Sequence, residues 1–328
     1  MDLPTLWFGL IVFFWTLYFV LEGFDFGVGV LARVLGRDEA ERGKLLSTIA
    51  PVWDGNEVWL VVAGGAMFAA FPGWYATLTS VYYLPLVAIL VALILRGVAL
   101  EFRGKHDDDR WRRRCDLGVA VGSALPPLAW GVALAGAARG LPLDGRGVLV
   151  GGLGALLHPY ALLGGCALLA LCLLHGAAFL RLRTTGELRA RASRALAVAS
   201  VPAVLLGGGF WLWTALRAGP AGGLSGWVDL VGAVAALGVV AGVVLRHDGW
   251  AFAGTTAAVG ATVVAIFCSA FPTLMPSTVG RAHDLTVLTE ASPAYGLRVL
   301  TVAGLVTLPA VLAYQGWSYW VFRRRVAG

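Results

Sequence analysis

The chain has 328 residues, of which 59% are hydrophobic and only 13% charged, with 44 glycines and 13 tryptophans. A soluble globular domain carries roughly 25% charged residues, so this chain cannot cover a solvent-facing surface, which excludes a soluble enzyme, a disordered chain and a fibre. The formal charge of +6 fits the accumulation of basic residues in cytoplasmic loops, and no basic stripe interleaved with exposed aromatics points to nucleic acid.

A bilayer core takes about 20 apolar residues as helix. Read with that window, the sequence predicts nine membrane-spanning helices, at roughly 5–33, 51–71, 75–102, 116–138, 148–180, 195–216, 227–245, 250–271 and 297–322. The first run has no basic segment before it and continues well past signal-peptide length, so it reads as the first span and not as a cleavable signal. Connections are mostly short, which makes successive helices antiparallel neighbours in bundles. The longest external connection, about 272–296, holds Pro272, Pro276 and Pro293 and is not a plain helix. The four cysteines form no CxxC pair and read as small core residues.

Orientation follows from Lys and Arg. One set of connections, with the segment after the ninth span, carries nineteen of them, including Arg37, Arg42, Lys44, Arg103, Arg112, Arg181, Arg189, Arg191 and Arg323 to Arg325. The opposite set carries five, Arg139, Arg146, Arg217, Arg281 and Arg298. The expectation is an N-terminus outside and a C-terminus inside.

Ionisable groups inside a membrane are costly and mark function by default. Glu22 and Asp25 lie in the inner half of the first span, and Asp54 and Glu57 in the inner turns of the second. Arg96 and Glu101 stand toward the inner end of the third. Three helices thus bring five carboxylates and one guanidinium to one cytoplasmic-side layer. Each acid pair is spaced i,i+3, on one helix face. Two acids that close do not both ionise easily in a low dielectric, so the layer can take up and pass on a proton. A structural network fixed by Arg96, or a cation site, is the alternative. Asn56 can hydrogen-bond across helices, and Trp53 and Trp59 flank the second pair about 120° apart around the helix. They suit packing or the interface belt.

Haem needs axial His, Met or Cys. Only His158 and His175 fall in a predicted span, on different faces, and no metal-ligand spacing is present. The chain is not expected to hold haem or a metal. On these residues alone, a proton- or cation-coupled secondary transporter using the same carboxylates stands beside a redox-complex subunit.

Two blocks decide between them. EGFDFGVG at 22–29 and APVWDGNEVW at 50–59 resemble the first two helices of subunit II of cytochrome bd quinol oxidase. The likeness continues through GGAMFAAFP at 64–72, GSALPP at 122–127, RTTGEL at 183–188 and FPTLMPS at 271–277, in the same order along nearly the whole chain. The sequence departs from that pattern at His158, where Asn is more usual, and in the short connection from Arg217 to Gly226.

The resemblance implies an all-α fold of two four-helix bundles and a peripheral ninth helix. These divide as 1–140 with the acidic cluster, 145–271, and 272–328 for the external connection and last helix. It implies a bacterial cytoplasmic-membrane enzyme that oxidises quinol and reduces dioxygen to water, electrogenically and without pumping. Both b-type haems, haem d and the quinol site would lie in the partner, subunit I, with no haem or metal ligated by this chain. Small single-helix accessory subunits would complete the complex, and a quinone or lipid would sit in the second bundle. Asp25 and Asp54, with Glu22, Glu57, Arg96 and Glu101, would form a proton path, and Trp53 and Trp59 would border an oxygen route or serve packing.

Overall fold

The computed structural model describes residues 2–218, 238, 240 and 247–327. It is an all-helical, multi-pass membrane fold, and among the described residues seven helices are long and apolar enough to cross a bilayer. The predicted span at 227–245 lies outside the described residues apart from Gly238 and Val240.

Helix α1 (Leu3–Leu35) opens on Asp2, whose side chain accepts the Thr5 N–H at 2.9 Å, and closes where the Gly36 N–H reaches the Ala32 carbonyl. Its 33 residues extend about 50 Å, well beyond a hydrocarbon core of about 30 Å. A short helix, α2 (Glu39–Ser47), is capped by Asp38. Helix α3 (Trp53–Ala70) is the predicted second span. It is 18 residues long but falls outside the seven because Asp54, Asn56 and Glu57 crowd its first two turns.

The predicted third span is two helices, α4 (Pro72–Val81) and α5 (Tyr83–Phe102). Pro72 starts the first; Pro85, with no N–H to give back to residue 81, breaks the ladder at Tyr82. Helix α6 (Asp109–Arg139) carries Pro126 and Pro127 in its interior and ends at Gly140, φ +103°.

The fifth span differs from expectation. Residues 141–158 are not helical apart from a 3-10 turn at Leu153–Leu156, and α7 (Pro159–Arg183) begins at the proline. Gly147, Gly151 and Gly152 hold positive φ there, which turns the chain where hydropathy alone reads a span. His158 is therefore not inside a span. It is the cap of α7, its Nδ1 accepting the Tyr160 N–H at 3.1 Å.

Helix α8 (Gly186–Pro202) runs through a π-helical turn at Ala203–Gly207 into α9 (Gly208–Ala218). Helix α10 (Asp248–Cys268) and α11 (Ala294–Val321) follow. Between them the proline-bearing connection folds as an antiparallel pair, β1 (Thr273–Met275) with β2 (Leu285–Thr286), Thr273 opposite Thr286.

Helix α1 is the centre, packed on α3, α6, α7 and α10. It meets α7 backbone to backbone at Gly27 and Gly176, where a Cβ on Gly27 would stand 2.7 Å from the Gly176 Cα. Aromatic side chains fill the rest: Trp15 lies edge-on to Trp130 at 4.8 Å and Phe24 stacks on Phe179 at 4.1 Å. Helix α11 sits outside this core, with Leu297 its one buried residue.

The loops sort into two ends. At one, Arg42 and Arg103 pair with Asp116, Arg191 with Glu41, and Arg181, Arg189 and Arg325 with Asp248. At the other, Leu141 bridges Ser277, Ser292 bonds the Ala69 and Ala70 carbonyls, and Arg217 reaches the Arg139 carbonyl. Asp116 and Asp248 are the carboxylates at the centre of that first end.

Candidate functional site

Glu22 and Asp25, one turn apart on α1, are fully buried. Arg96 of α5 reaches Glu22 past Gly122 of α6, where a Cβ would stand 2.7 Å from the Arg96 Cβ. One Arg96 amino group donates to Glu22 Oε1. Its guanidinium carbon lies 4.9 Å over the Phe26 ring and 5.9 Å from that of Trp53, so aromatic faces carry part of the charge.

Asp25 is held from the other side. Its Oδ2 accepts from Asn56 Nδ2 at 2.7 Å, and the same nitrogen lies 3.3 Å from the Leu21 carbonyl. The Asn56 oxygen accepts from Gln315 Nε2 and from the Tyr319 hydroxyl, each at 2.8 Å. Both residues belong to α11. Four atoms of the cluster are buried without a hydrogen-bond partner among the described residues: Glu22 Oε2, Asp25 Oδ1, and Nε and Nη2 of Arg96.

The remaining predicted residues lie further out. Glu57 is half-buried and Asp54 exposed, both facing a groove between α3 and α5 bordered by Val58, Val61, Leu90, Ile94 and Val98. Glu101 does not join them. It is exposed and lines a separate hollow with Arg103 and Gly104. Five residues beyond Arg96, it points about 140° away around the helix. Trp53 is half-buried beside Arg96 and borders both hollows. Trp59 is buried against Phe14, 6.1 Å between rings, and lines an apolar groove with Ala66, Leu300 and Val311.

Sequence reasoning missed Gln315 and Tyr319. Their signal was an i,i+4 polar pair on one face of an otherwise apolar span.

Two of the residues that could ligate haem, His175 and Met67, are engaged elsewhere. His175 is buried, Nδ1 2.8 Å from Thr255 Oγ1 and Nε2 3.1 Å from the Val20 carbonyl, its ring stacked on Phe252. The His158 imidazole is pushed below its ordinary value by burial and by the nearby Arg139 and Arg217 guanidiniums. The Met67 sulfur takes the Trp15 indole N–H at 3.2 Å. Neither His175 nor Met67 fits an axial site, and no group of three or more His, Cys, Asp or Glu among the described residues could hold a metal.

The family model for cytochrome bd terminal oxidase subunit II matches residues 3–322. The chain is 42% identical over 332 residues to cytochrome bd ubiquinol oxidase subunit 2 of Bacillus subtilis, covering 99% of this chain and 97% of that protein. It is 32% identical over 349 residues to cytochrome bd-I ubiquinol oxidase subunit 2 of Escherichia coli, covering 94% and 90%. Among solved structures, the bd oxidase of Geobacillus thermodenitrificans superposes with a TM-score of 0.75 at 19% identity, over 98% of this chain and 99% of that one. That last likeness concerns the fold.

Proposed function

The chain belongs to the cytochrome bd terminal oxidase subunit II family, and from that premise we propose that it serves the oxidase as a proton-conducting wall, with the haems in subunit I. It is a component of a terminal quinol oxidase, an oxidoreductase complex that contains haem. Haem supplies the electron transfer and oxygen reduction of such a complex. We place both b-type haems and haem d in the partner, a reading supported by the engagement of His175 and Met67 within this chain.

The observation that carries the proton reading is the buried trio of Glu22, Asp25 and Arg96. Two acids share one fixed cation in a water-poor interior. Electroneutrality there calls for one proton on the pair, because an uncompensated buried charge costs several kcal/mol. Glu22 Oε2 and Asp25 Oδ1, which have no donor among the described residues, are the atoms to hold it. Asp54 and Glu57, on the exposed face of α3, collect protons and pass them inward. Glu101, pointing away, serves the approach at most. Trp59 and its apolar groove suit packing or oxygen passage, and Trp53 shields Arg96.

An acid pair facing lipid is costly, so the α3–α5 face around Asp54 and Glu57 is where subunit I docks and supplies donors. The remaining architecture follows the same reading. Nine spans form two four-helix bundles and a peripheral helix in the bacterial cytoplasmic membrane. The ion-paired end is cytoplasmic and the N-terminus outside, on the Lys and Arg count. Single-helix accessory subunits and a quinone or lipid in the second bundle complete the assembly. No observation favours a coupled transporter: such sites use interrupted helices, and α1 and α5 are continuous where they carry Glu22, Asp25 and Arg96.

The test is quinol-dependent oxygen uptake by the purified complex. Asp25→Asn and Glu22→Gln should each lower turnover by about tenfold or more, with haem spectra unchanged. Unchanged turnover in an intact complex sinks the proton role.

A further inference from the structure

We propose that Gln315 and Tyr319 of α11 are positioning residues for Asp25, acting through Asn56. The inference rests on the reading of Asp25 as a proton-carrying group and adds the device that fixes which of its oxygens takes the proton.

A primary amide has two N–H donors and an oxygen with two lone pairs. The Leu21 carbonyl only accepts, so the Asn56 atom 3.3 Å from it is the nitrogen. That settles the orientation of the amide. Its oxygen then faces α11, and both groups 2.8 Å away, Gln315 Nε2 and the Tyr319 hydroxyl, donate to it. All four hydrogen bonds of the amide are made. Its second N–H rests on Asp25 Oδ2 at 2.7 Å. Asp25 Oδ2 is thereby committed as an acceptor, and Oδ1 is left free for a proton.

The same contacts set the strength of that bond. Donors on an amide oxygen draw charge from its nitrogen and make its N–H a better donor. Removing either donor weakens the hold on the Asp25 carboxylate. The other ionisable groups acting on Asp25 are Glu22 of α1, Glu57 of α3 and Arg96 of α5, with Tyr319 itself on α11. Helix α7 presents the free Cys172 thiol, whose Sγ lies 3.5 Å from the Cβ position of Gly23, and His175, whose ring is occupied by Thr255 and Val20. Helix α11 has little buried surface, and its polar side-chain ties to α1 and α3 are this trio and the Trp7 Nε1–Thr301 Oγ1 bond at 3.1 Å.

The experiment measures quinol-dependent oxygen uptake against pH for the purified complex. Tyr319→Phe removes one oxygen, and Gln315→Met keeps the length of the side chain. Each should lower turnover about three- to tenfold, the effect of one net hydrogen bond. Each should also move the pH midpoint of turnover upward, leave the quinol KM alone, and add nothing in an Asp25→Asn background. Thr301→Val, which cuts the other α11 tie, should leave the pH profile in place. In redox-difference infrared spectra, the carboxyl band lost in Asp25→Asn should shift in Tyr319→Phe. A pH profile and carboxyl band unmoved by Tyr319→Phe and Gln315→Met overturn the inference while Asp25 keeps its role. So does a shift that persists in the Asp25→Asn background. If Asp25→Asn itself behaves as wild type, the underlying proton reading fails and this inference with it.

Discussion

Arg191 of α8 grips Glu41 of α2 across 150 residues of sequence, Nη1 standing 2.7 Å from Glu41 Oε2 and 2.6 Å from the Leu35 carbonyl. The hydrogen bonds from Arg191, with the Arg37 N–H behind them, hold the Glu41 carboxyl down at about 2, from an ordinary 4.5. The folded value is the lower one, so the stability this pair contributes is full above about 4.5 and disappears as pH falls from there toward 2. Glu41→Gln should flatten the acid limb of a thermal-unfolding series over that window. An acid limb identical to wild type would show that the tie contributes nothing.

At the crossing of α1 and α7, Gly27→Leu forces a side chain into the Cys172 carbonyl and the Gly176 backbone. Overpacking costs about 1–3 kcal/mol or more where backbone cannot yield. The expected outcome is loss of assembled complex on size exclusion, while Gly9→Leu, with open space around its Cβ position, assembles normally.

Arg96→Met strands Glu22 as a buried charge, at a cost of about 3–5 kcal/mol. Stability should return in the double variant Arg96→Met/Glu22→Met, because removing both partners of a buried pair is close to neutral. Turnover should not return with it. A double variant as unstable as the single one would show that Arg96 acts by packing alone.

Asp248 is shared by Arg181, Arg189 and Arg325, with contacts of 2.8, 2.9 and 3.1 Å. Arg325 lies beyond α11 and is 46% exposed. A half-exposed pair is worth at most about 1 kcal/mol. Asp248→Asn should accordingly raise the rate of tryptic cleavage at Arg323 to Arg325 only about two- to fivefold, measured by mass spectrometry of the intact complex.

Much of this was legible in the sequence for a physical reason. Charge is so expensive in a bilayer that Glu22, Asp25 and Arg96 announce themselves against apolar neighbours, and they do meet. Other features were hidden by the same apolar background. Hydropathy cannot separate a helix from an apolar loop, so the glycine-turned segment before Pro159 read as part of a span. It could not see that Pro85 breaks the third span at Tyr82. Depth along a helix also says nothing of direction around it, so Glu101 shares a layer with Arg96 by sequence and parts from it in the fold. Gln315 and Tyr319 went unnoticed because a neutral amide and a phenol in a span carry no alarm until their partner, Asn56, is known.

The placement of Asn56's two donors on α11 has a consequence for biogenesis. Translation threads α1 and α3 into the membrane early, and α11 only after every other described helix. Until it arrives, Asn56 offers a bare carbonyl oxygen and Asp25 lacks its final setting. A nascent protein with all its earlier helices inserted would still be chemically unfinished, and the late docking of Gln315 and Tyr319 would mark the moment when the subunit becomes competent.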